Sequence, residues 1–162
     1  MIALWRISRH TDLAGLGGER ADGRWHRAAP GKRIVYLAEH PALSLIETLV
    51  HLKGNPALFP SRYSLARIEV EEAVFAAARR LVEEAGTNLG LAESRTQQIG
   101  DAWLREGATA LARVPSFPSP FSTNYLLNPK HPDASRFRVA SAHEIEYDPR
   151  LLQMRATERG SA

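Results

Sequence analysis

Residues 36 to 53 constrain the fold of this chain more than any other stretch, because they predict a short strand that runs directly into a helix. Pro41 favours the first helical position, where a backbone N–H would have no partner, and Gly54 predicts that the helix ends near residue 53. The apolar side chains between them recur at the spacing of one buried helix face: Ala42, Leu45, Ile46, Leu49 and Val50. We therefore expect an amphipathic helix over residues 41–53 that packs beside a sheet.

Glu47 lies on the next ladder round this helix, four residues from Leu43 and four from His51. At the rim of the predicted apolar face, a carboxylate is half desolvated and still reaches a ligand on the neighbouring sheet. That position suits a catalytic acid. The alternative is an ordinary helix-surface glutamate, since most glutamates in proteins are exposed.

Length and composition are those of one domain. A chain of 162 residues can bury a single core, and we expect one domain over residues 1–154 with a polar tail over 155–162. No segment approaches the roughly 18 to 20 apolar residues of a membrane span. The chain has no cysteine and begins with a strand-like pattern, so we expect a cytoplasmic protein. The net charge of +3 is small and gives little support for direct nucleic-acid binding.

The remaining patterns alternate short strands with few helices. Strands are predicted over residues 2–8, 32–38, 63–70, 111–114, 124–129, 136–140 and 144–148. Helices are predicted over residues 71–84 and 96–105, and loops over 9–33 and 86–94. These elements predict an α+β fold with two small, mainly antiparallel sheets that form a cleft, flanked by the helix of residues 41–53.

Arg6 interrupts the apolar pattern of the first strand. Because a guanidinium is costly to bury alone, Arg6 needs either a structural carboxylate or an anionic group of a ligand, and both interpretations stay open. Trp25 lies in the long loop, where it either stacks on a ligand ring or caps the core. The glycines of residues 15–18 lack the strand-then-helix setting of a dinucleotide or P-loop fingerprint, so we reject those motifs.

A proline-rich loop follows the strand that ends near Val114. Its prolines restrict the backbone, so Ser116 and Asn124 can be held in place without regular secondary structure. Rigid polar loops are often functional sites. The alternative for Ser116 is an ordinary turn serine.

The sequence does not predict a metal site. His40, His51 and His131 are the histidines that suggest one, and they lack a paired ligand spacing such as His-Glu-x-x-His.

Several segments together resemble the RES domain, a family named for an arginine, a glutamate and a serine. The matching pieces follow one another along nearly the whole chain: Trp5–Ile7, Gly23–Trp25, Tyr36–Ala38, Ser44–Glu47, Ile99–Leu104, Val114–Ser116 and Asn124–Pro129. By this resemblance the three family residues are Arg6, Glu47 and Ser116. His26 stands where the family often has asparagine, and Ser119 and Ser122 are alternative serines in the same loop.

The resemblance implies a bacterial toxin of a type II toxin–antitoxin system. Its fold would be similar to that of ADP-ribosyltransferases, and its substrate would be NAD+, cleaved at the nicotinamide–ribose bond. Cleavage develops an oxocarbenium cation, which the Glu47 carboxylate would stabilise more in the transition state than in the ground state. The nicotinamide leaving group already activates the bond, so no metal is required.

The other implied site residues would bind NAD+. Arg6 and Arg24 would hold the pyrophosphate, for which a guanidinium is well suited. Tyr36 would stack on the nicotinamide or a ribose, and Ser116 and Asn124 would hydrogen-bond the amide or the ribose hydroxyls.

The acceptor and the partners are less constrained. Water would make the protein an NAD+ glycohydrolase, phosphate a phosphorylase and a protein target a mono-ADP-ribosyltransferase. The resemblance also implies an Xre-type antitoxin that covers the cleft. The competing hypothesis is a non-catalytic interaction or RNA-binding module, in which arginines meet phosphates and Trp25, Tyr36 and Tyr63 stack on bases. The arginines are interspersed with acids rather than clustered, which disfavours it.

Overall fold

A computed structural model describes residues 1–10, 12–52, 61–82, 90–148 and 150–151. Its strands are β1 (Ile2–Ile7), β2 (Val35–Ala38), β3 (Arg62–Val70), β4 (Arg79–Arg80), β5 (Leu111–Pro115), β6 (Thr123–Leu127) and β7 (Phe137–Glu146). Its helices are α1 (Gly17–Arg20), α2 (Pro41–His51), α3 (Glu72–Ala76) and α4 (Glu93–Glu106), with a 3-10 helix over Pro132–Arg136. The α+β class predicted from the sequence is confirmed.

The strands form one seven-stranded sheet in the order β4-β5-β6-β2-β1-β3-β7, and every neighbouring pair is antiparallel except β4 with β5. The prediction of two separate sheets is therefore wrong, because Trp5 of β1 pairs with Ala38 of β2 and joins the two halves. This is the single partner pair in the register of β1 and β2, whereas β1 pairs with β3 along its whole length. The join leaves room for a cleft where α2 approaches both strands.

Both faces of the sheet are covered by apolar side chains. One cluster includes Leu4, Val35, Ile68 and Leu127. The other contains Trp25, Ile34, Trp103, Ala112, Val114 and Leu126, and it packs α4 against β5 and β6. Trp103 is 1% exposed and Trp25 is 3% exposed, so both tryptophans are core residues. For Trp25 this agrees with the interpretation that it caps the core.

Three other predictions need correction. The expected helix over residues 71–84 ends at Ala76, because Arg79 and Arg80 pair with β5 and join the sheet. The two predicted strands at 136–140 and 144–148 are one continuous strand, β7, which pairs with β3 along its length across an irregularity in the register. The predicted loop over residues 9–33 contains α1 and an isolated bridge between Gly23 and His26.

Helix α2 begins at Pro41 as predicted, but its buried face is not the expected one. Leu43 and Ser44 are buried, whereas Ile46 and Val50 are 38% and 57% exposed. The row of residues beside the apolar stripe, which contains Leu43, Glu47 and His51, faces the sheet instead. The polar side chains of Glu47 and His51 therefore line the cleft. The predicted stop at Gly54, part of the loop predicted over 86–94 and the tail over 155–162 lie outside the described residues.

Candidate active site

A cavity of about 350 Å³ lies where β1, β2 and β6 meet α2. Five of the six site residues predicted from the sequence line it: Arg6, Arg24, Tyr36, Glu47 and Asn124. They come from four different elements and a loop, so the fold assembles a site from residues far apart in the chain. The cavity is referred to below as the main cavity.

The start of α2 fixes the position of Glu47. The Nδ1 atom of His40 accepts the backbone N–H of Ala42 at 3.2 Å, and Pro41 occupies the first helical turn, so the helix begins with both a side-chain cap and a favoured residue. Glu47 then lies in the second turn, half-buried against the cavity. His40 is therefore a capping residue.

One carboxylate oxygen of Glu47 is held by two neutral donors. The Oγ atom of Ser116 donates to Oε1 at 2.7 Å, and the side-chain amide of Asn124 donates to the same oxygen at 2.5 Å. The Oε2 atom accepts no hydrogen bond from the described residues. Glu47 thus has a fixed orientation with one oxygen available to a ligand.

Ser116 lies behind Glu47 rather than on the cavity wall. Its side chain is buried, its Oγ atom also accepts the backbone N–H of Ser119 at 3.2 Å, and its own N–H donates to the carbonyl of Ser122 at 2.9 Å. The hydroxyls of Ser119 and Ser122 lie 3.0 Å from each other. Of the three serines in this loop, Ser116 is the one that contacts Glu47.

Arg6 brings a partly buried cation to the cavity. Its Nη1 atom donates to the backbone carbonyl of Asp12 at 2.8 Å, and no carboxylate of the described residues lies within 4.0 Å of the guanidinium. Burial lowers the pKa of Arg6, and the nearby Asp12 carboxylate opposes that shift. No structural ion pair of Arg6 is found among the described residues, which favours the interpretation that Arg6 meets an anionic ligand.

The guanidinium of Arg24 makes more contacts within the protein than that of Arg6 does. Its Nη2 atom donates to the carbonyl of Leu91 at 2.7 Å, and its guanidinium carbon lies 3.6 Å from the centre of the Phe117 ring. Its buried Nε atom has no hydrogen-bond partner among the described residues. Arg24 therefore contributes charge to the cavity wall from a fixed, stacked position.

Tyr36 presents its ring to the cavity while its hydroxyl is occupied. The hydroxyl oxygen accepts the backbone N–H of Trp25 at 3.1 Å and lies 2.8 Å from Nδ1 of His26. Burial raises the pKa of Tyr36, so the hydroxyl stays protonated. His26 is only 3% exposed and lies behind Tyr36, so it acts on the cavity through that tyrosine.

Helix α4 holds the segment that carries Arg24 and Trp25. The Thr96 hydroxyl donates to the carbonyl of Arg24 at 2.6 Å, and the Gln97 amide donates to the carbonyl of Gly23 at 3.1 Å. A Cβ atom at Gly100 would lie 1.9 Å from the carbonyl oxygen of Trp25, so only glycine allows this approach. Thr96 and Gln97 were not predicted from the sequence, since nothing local marks a polar helix residue as the partner of a distant loop.

Three further cavity residues were missed although the sequence contains a signal for them. Ser44, Thr48 and His51 line the main cavity with Glu47. They lie three, one and four residues from Glu47, which places all four on one side of the helix.

Two other classes of site are not indicated. No group of three or more His, Asp or Glu side chains in the described part of the chain is arranged to hold a metal ion. Likewise, none of the helices within the described ranges is long and apolar enough to cross a membrane.

Comparison with known proteins gives consistent matches over nearly the whole chain. The family model of the RES domain matches residues 3–149. A protein of Pseudomonas putida named Toxin Res is 38% identical over 149 residues, covering 92% of this chain and 99% of the relative. A Sphingobium protein named Prs ADP-ribosylating toxin is 34% identical over 160 residues, covering 93% of this chain and 97% of the relative. The toxin–antitoxin complex MbcT–MbcA of M. tuberculosis contains a chain of similar fold, with a TM-score of 0.65, 18% identity and coverage of 94% of this chain and 87% of that one.

Proposed function

Because the chain belongs to the RES domain family, we propose that it is the toxin of a type II toxin–antitoxin system and that it cleaves the nicotinamide–ribose bond of NAD+. The observation that carries this proposal is the environment of Glu47. One of its oxygens is oriented by Ser116 and Asn124, and the other is available in a cavity that also contains the cation of Arg6. The name of the Pseudomonas relative supports the role of a toxin, and the name of the Sphingobium relative supports an ADP-ribosylating toxin.

Cleavage of NAD+ generates positive charge on the ribose, and Glu47 is suited to stabilise it. A carboxylate fixed before the reaction pays no reorganisation energy when the cation forms. Ser116 and Asn124 supply this fixation, and both hydrogen bonds are directed at a single oxygen. In this proposal Glu47 is the catalytic residue, Ser116 is a positioning residue, and Asn124 both orients Glu47 and lines the cavity.

Arg6 and Tyr36 would bind the substrate. The guanidinium of Arg6 has donors left over after its bond to Asp12, and it would pair with the pyrophosphate. The ring of Tyr36, with its hydroxyl already engaged, would contact the nicotinamide or its ribose. Arg24, stacked on Phe117, would add a second positive charge at longer range.

We favour a protein acceptor for the ADP-ribose group, which would make the chain a mono-ADP-ribosyltransferase. Its fold would then be similar to that of other ADP-ribosyltransferases. The support is the name of the Sphingobium relative, which describes an ADP-ribosylating toxin. Water or inorganic phosphate as acceptor would instead give a glycohydrolase or a phosphorylase. All three reactions release nicotinamide and use the same carboxylate.

We also propose an Xre-type antitoxin as the partner that blocks access to the main cavity. The Xre type rests on the family resemblance. An antitoxin partner is supported by the MbcT–MbcA structure, which contains a chain of similar fold and is a toxin–antitoxin complex. Expression of this chain alone should then arrest bacterial growth, and co-expression of the antitoxin should restore it. Growth at the normal rate, with the wild-type protein shown by blotting and melting to be present and folded, would contradict this part of the proposal.

The direct test is incubation of the purified protein with NAD+ and quantification of nicotinamide by chromatography. Labelled NAD+, added with cell lysate or with graded phosphate, then identifies the acceptor by where the label appears. Nicotinamide release supports the proposal. RNA binding with no loss of NAD+ would contradict it and favour the non-catalytic binding module.

A further inference from the structure

A second cavity of about 340 Å³ adjoins the main cavity, and the proposed cleavage of the nicotinamide–ribose bond does not use it. The two cavities share Ile7, Thr48 and Leu52, so they are neighbouring parts of one cleft along β1 and α2. This distal cavity is lined on its far side by Tyr63 and Tyr147.

The size of each cavity suits one half of a dinucleotide. Pockets that hold drug-sized ligands span roughly 300 to 1,000 Å³, and each cavity lies near the lower end of that range. NAD+ consists of two nucleotides joined through a pyrophosphate. If its nicotinamide riboside occupies the main cavity beside Glu47, the adenosine needs a second compartment within the length of one pyrophosphate.

The wall of the distal cavity fits a flat heteroaromatic base. The rings of Tyr63 and Tyr147 lie 4.5 Å apart between centroids, and Tyr147 is buried, so it supports Tyr63 from one side. Tyr63 is half-buried and lines the cavity. Aromatic rings held in this way are stacking platforms for nucleobases, and the neighbouring hydroxyl of Ser64 offers a hydrogen bond to a polar edge.

The charges along the cleft fit the linking pyrophosphate. Arg6 lines the main cavity, Arg9 lines the distal one, and Ile7 belongs to both. Arg9 is exposed and has no ion pair or hydrogen bond among the described residues. Arg62, also in the distal cavity, pairs with Glu146 at 3.0 Å and lies 3.8 Å from Glu144, a carboxylate that lines the same cavity, so the charge of Arg62 is balanced. Arg6 and Arg9 therefore supply one cation to each of the two joined cavities.

On the basis of the proposed function, we propose that the distal cavity binds the adenosine half of NAD+, with the base on Tyr63 and the pyrophosphate between Arg6 and Arg9. The competing occupant is the acceptor molecule. The two occupants differ in one measurable respect: an adenosine site affects the binding of NAD+ itself, whereas an acceptor site affects only the transfer step.

The test uses AMP, which carries the adenosine and one phosphate but no nicotinamide. AMP should bind the purified protein in calorimetry and inhibit nicotinamide release competitively against NAD+. Tyr63→Ala should raise both the Kd for AMP and the KM for NAD+ roughly 5- to 150-fold, as expected for a lost base–aromatic contact of about 1–3 kcal/mol. Tyr63→Phe should recover most of this affinity, because it keeps the ring.

Two further variants keep the test decisive if Tyr63→Ala folds poorly. Arg9→Gln changes an exposed side chain, so it should leave the melting temperature unaltered. It should still raise the Kd for AMP and the KM for NAD+ several-fold. Phe121→Ala removes an aromatic ring that is 88% exposed and lines neither cavity, and it should change neither constant.

The outcomes separate this inference from the proposed function. Absence of nicotinamide release by the wild type would contradict the proposed function, while calorimetry would still show whether AMP binds in a Tyr63-dependent manner. Nicotinamide release with a wild-type KM in Tyr63→Ala and in Arg9→Gln would overturn the adenosine assignment. Reduced labelling of a protein acceptor with an unchanged KM would assign the cavity to the acceptor instead.

Discussion

At the scale of single residues, the candidate site is a set of side chains whose hydrogen-bonding capacity is only partly used. Among the described residues, one oxygen of Glu47 is hydrogen-bonded and the other is not, and Arg6 gives one donor to a backbone carbonyl. Tyr36 has an engaged hydroxyl and lines the cavity. Partners within the protein fix each group in place. These three residues line the main cavity, and partly used hydrogen-bonding capacity there is the pattern expected of a binding site rather than of a structural network.

Arg6→Lys should separate ligand binding from stability. Lysine keeps the charge but loses the planar fork that pairs with a pyrophosphate, so the KM for NAD+ should rise roughly tenfold, the loss expected for one charge-assisted hydrogen bond. The melting temperature should stay close to that of the wild type, because no ion pair to a described carboxylate is broken. Arg136→Lys, at an exposed arginine that pairs with Glu71, is the matched control for steady-state kinetics and melting. A lowered melting temperature with an unchanged KM would show that Arg6 is structural.

His26 should make the stability of the protein depend on pH. Burial lowers the pKa of His26 below its ordinary value of 6.5, and the charge of Lys32 lowers it further. Below about pH 6.5 the unfolded chain therefore binds a proton at this position more readily than the folded protein does, and the free energy of unfolding falls as the pH falls.

The corresponding variant is His26→Asn, which cannot titrate and whose amide oxygen can still accept from the Tyr36 hydroxyl. Its melting temperature should fall less than that of the wild type between about pH 7.5 and pH 5.5, as measured by thermal melting at each pH. Equal decreases in the two proteins would contradict a buried neutral histidine.

At the scale of elements, local patterns predicted the presence of helices better than their packing. Ile99, Ala102 and Trp103 recur at helical spacing, and α4 is present there. In α2, however, the apolar stripe that includes Ile46 and Val50 is partly exposed. Periodicity shows which residues share a face, but the tertiary neighbours decide which face is covered. The segment at Arg79 was predicted as helix because pairing with β5 is a non-local interaction.

The contact between α4 and the Gly23–Trp25 segment gives the element-scale prediction. In Gly100→Ala the new methyl group would lie 1.9 Å from the Trp25 carbonyl oxygen, so the helix and the segment must separate. Overpacking of this kind costs about 1–3 kcal/mol, measurable as a lower denaturant midpoint. Gly17→Ala is the matched control, because nothing lies within 4 Å of its new methyl group, and it should change stability by about 1 kcal/mol or less. Equal stabilities of the two variants would contradict this account of the interface.

At the scale of the whole molecule, the cleft exists because β1 and β2 meet at one residue pair, with α2 lying across both. The family resemblance linked Arg6, Glu47 and Ser116 across the chain, and the structure brings them together, with Arg6 and Glu47 on the wall of the main cavity and Ser116 behind Glu47. Composition and periodicity alone could not have linked them, because Ser116 and Glu47 are 69 positions apart. The single continuous sheet was not predicted, because the pairing of Trp5 with Ala38 has no local sequence signal.

The most direct test of the account is nicotinamide release by Glu47→Gln, measured together with thermal melting. Glutamine keeps an oxygen for the hydrogen bonds from Ser116 and Asn124, so the fold should be preserved while the negative charge is lost. We expect turnover of NAD+ to fall by roughly 10² or more, the effect of removing one strong transition-state interaction, with a melting temperature close to that of the wild type. Glu72→Gln, at an exposed glutamate outside both cavities, should keep wild-type turnover. Near-normal nicotinamide release by a folded Glu47→Gln variant would contradict the central claim that this carboxylate stabilises the reacting ribose.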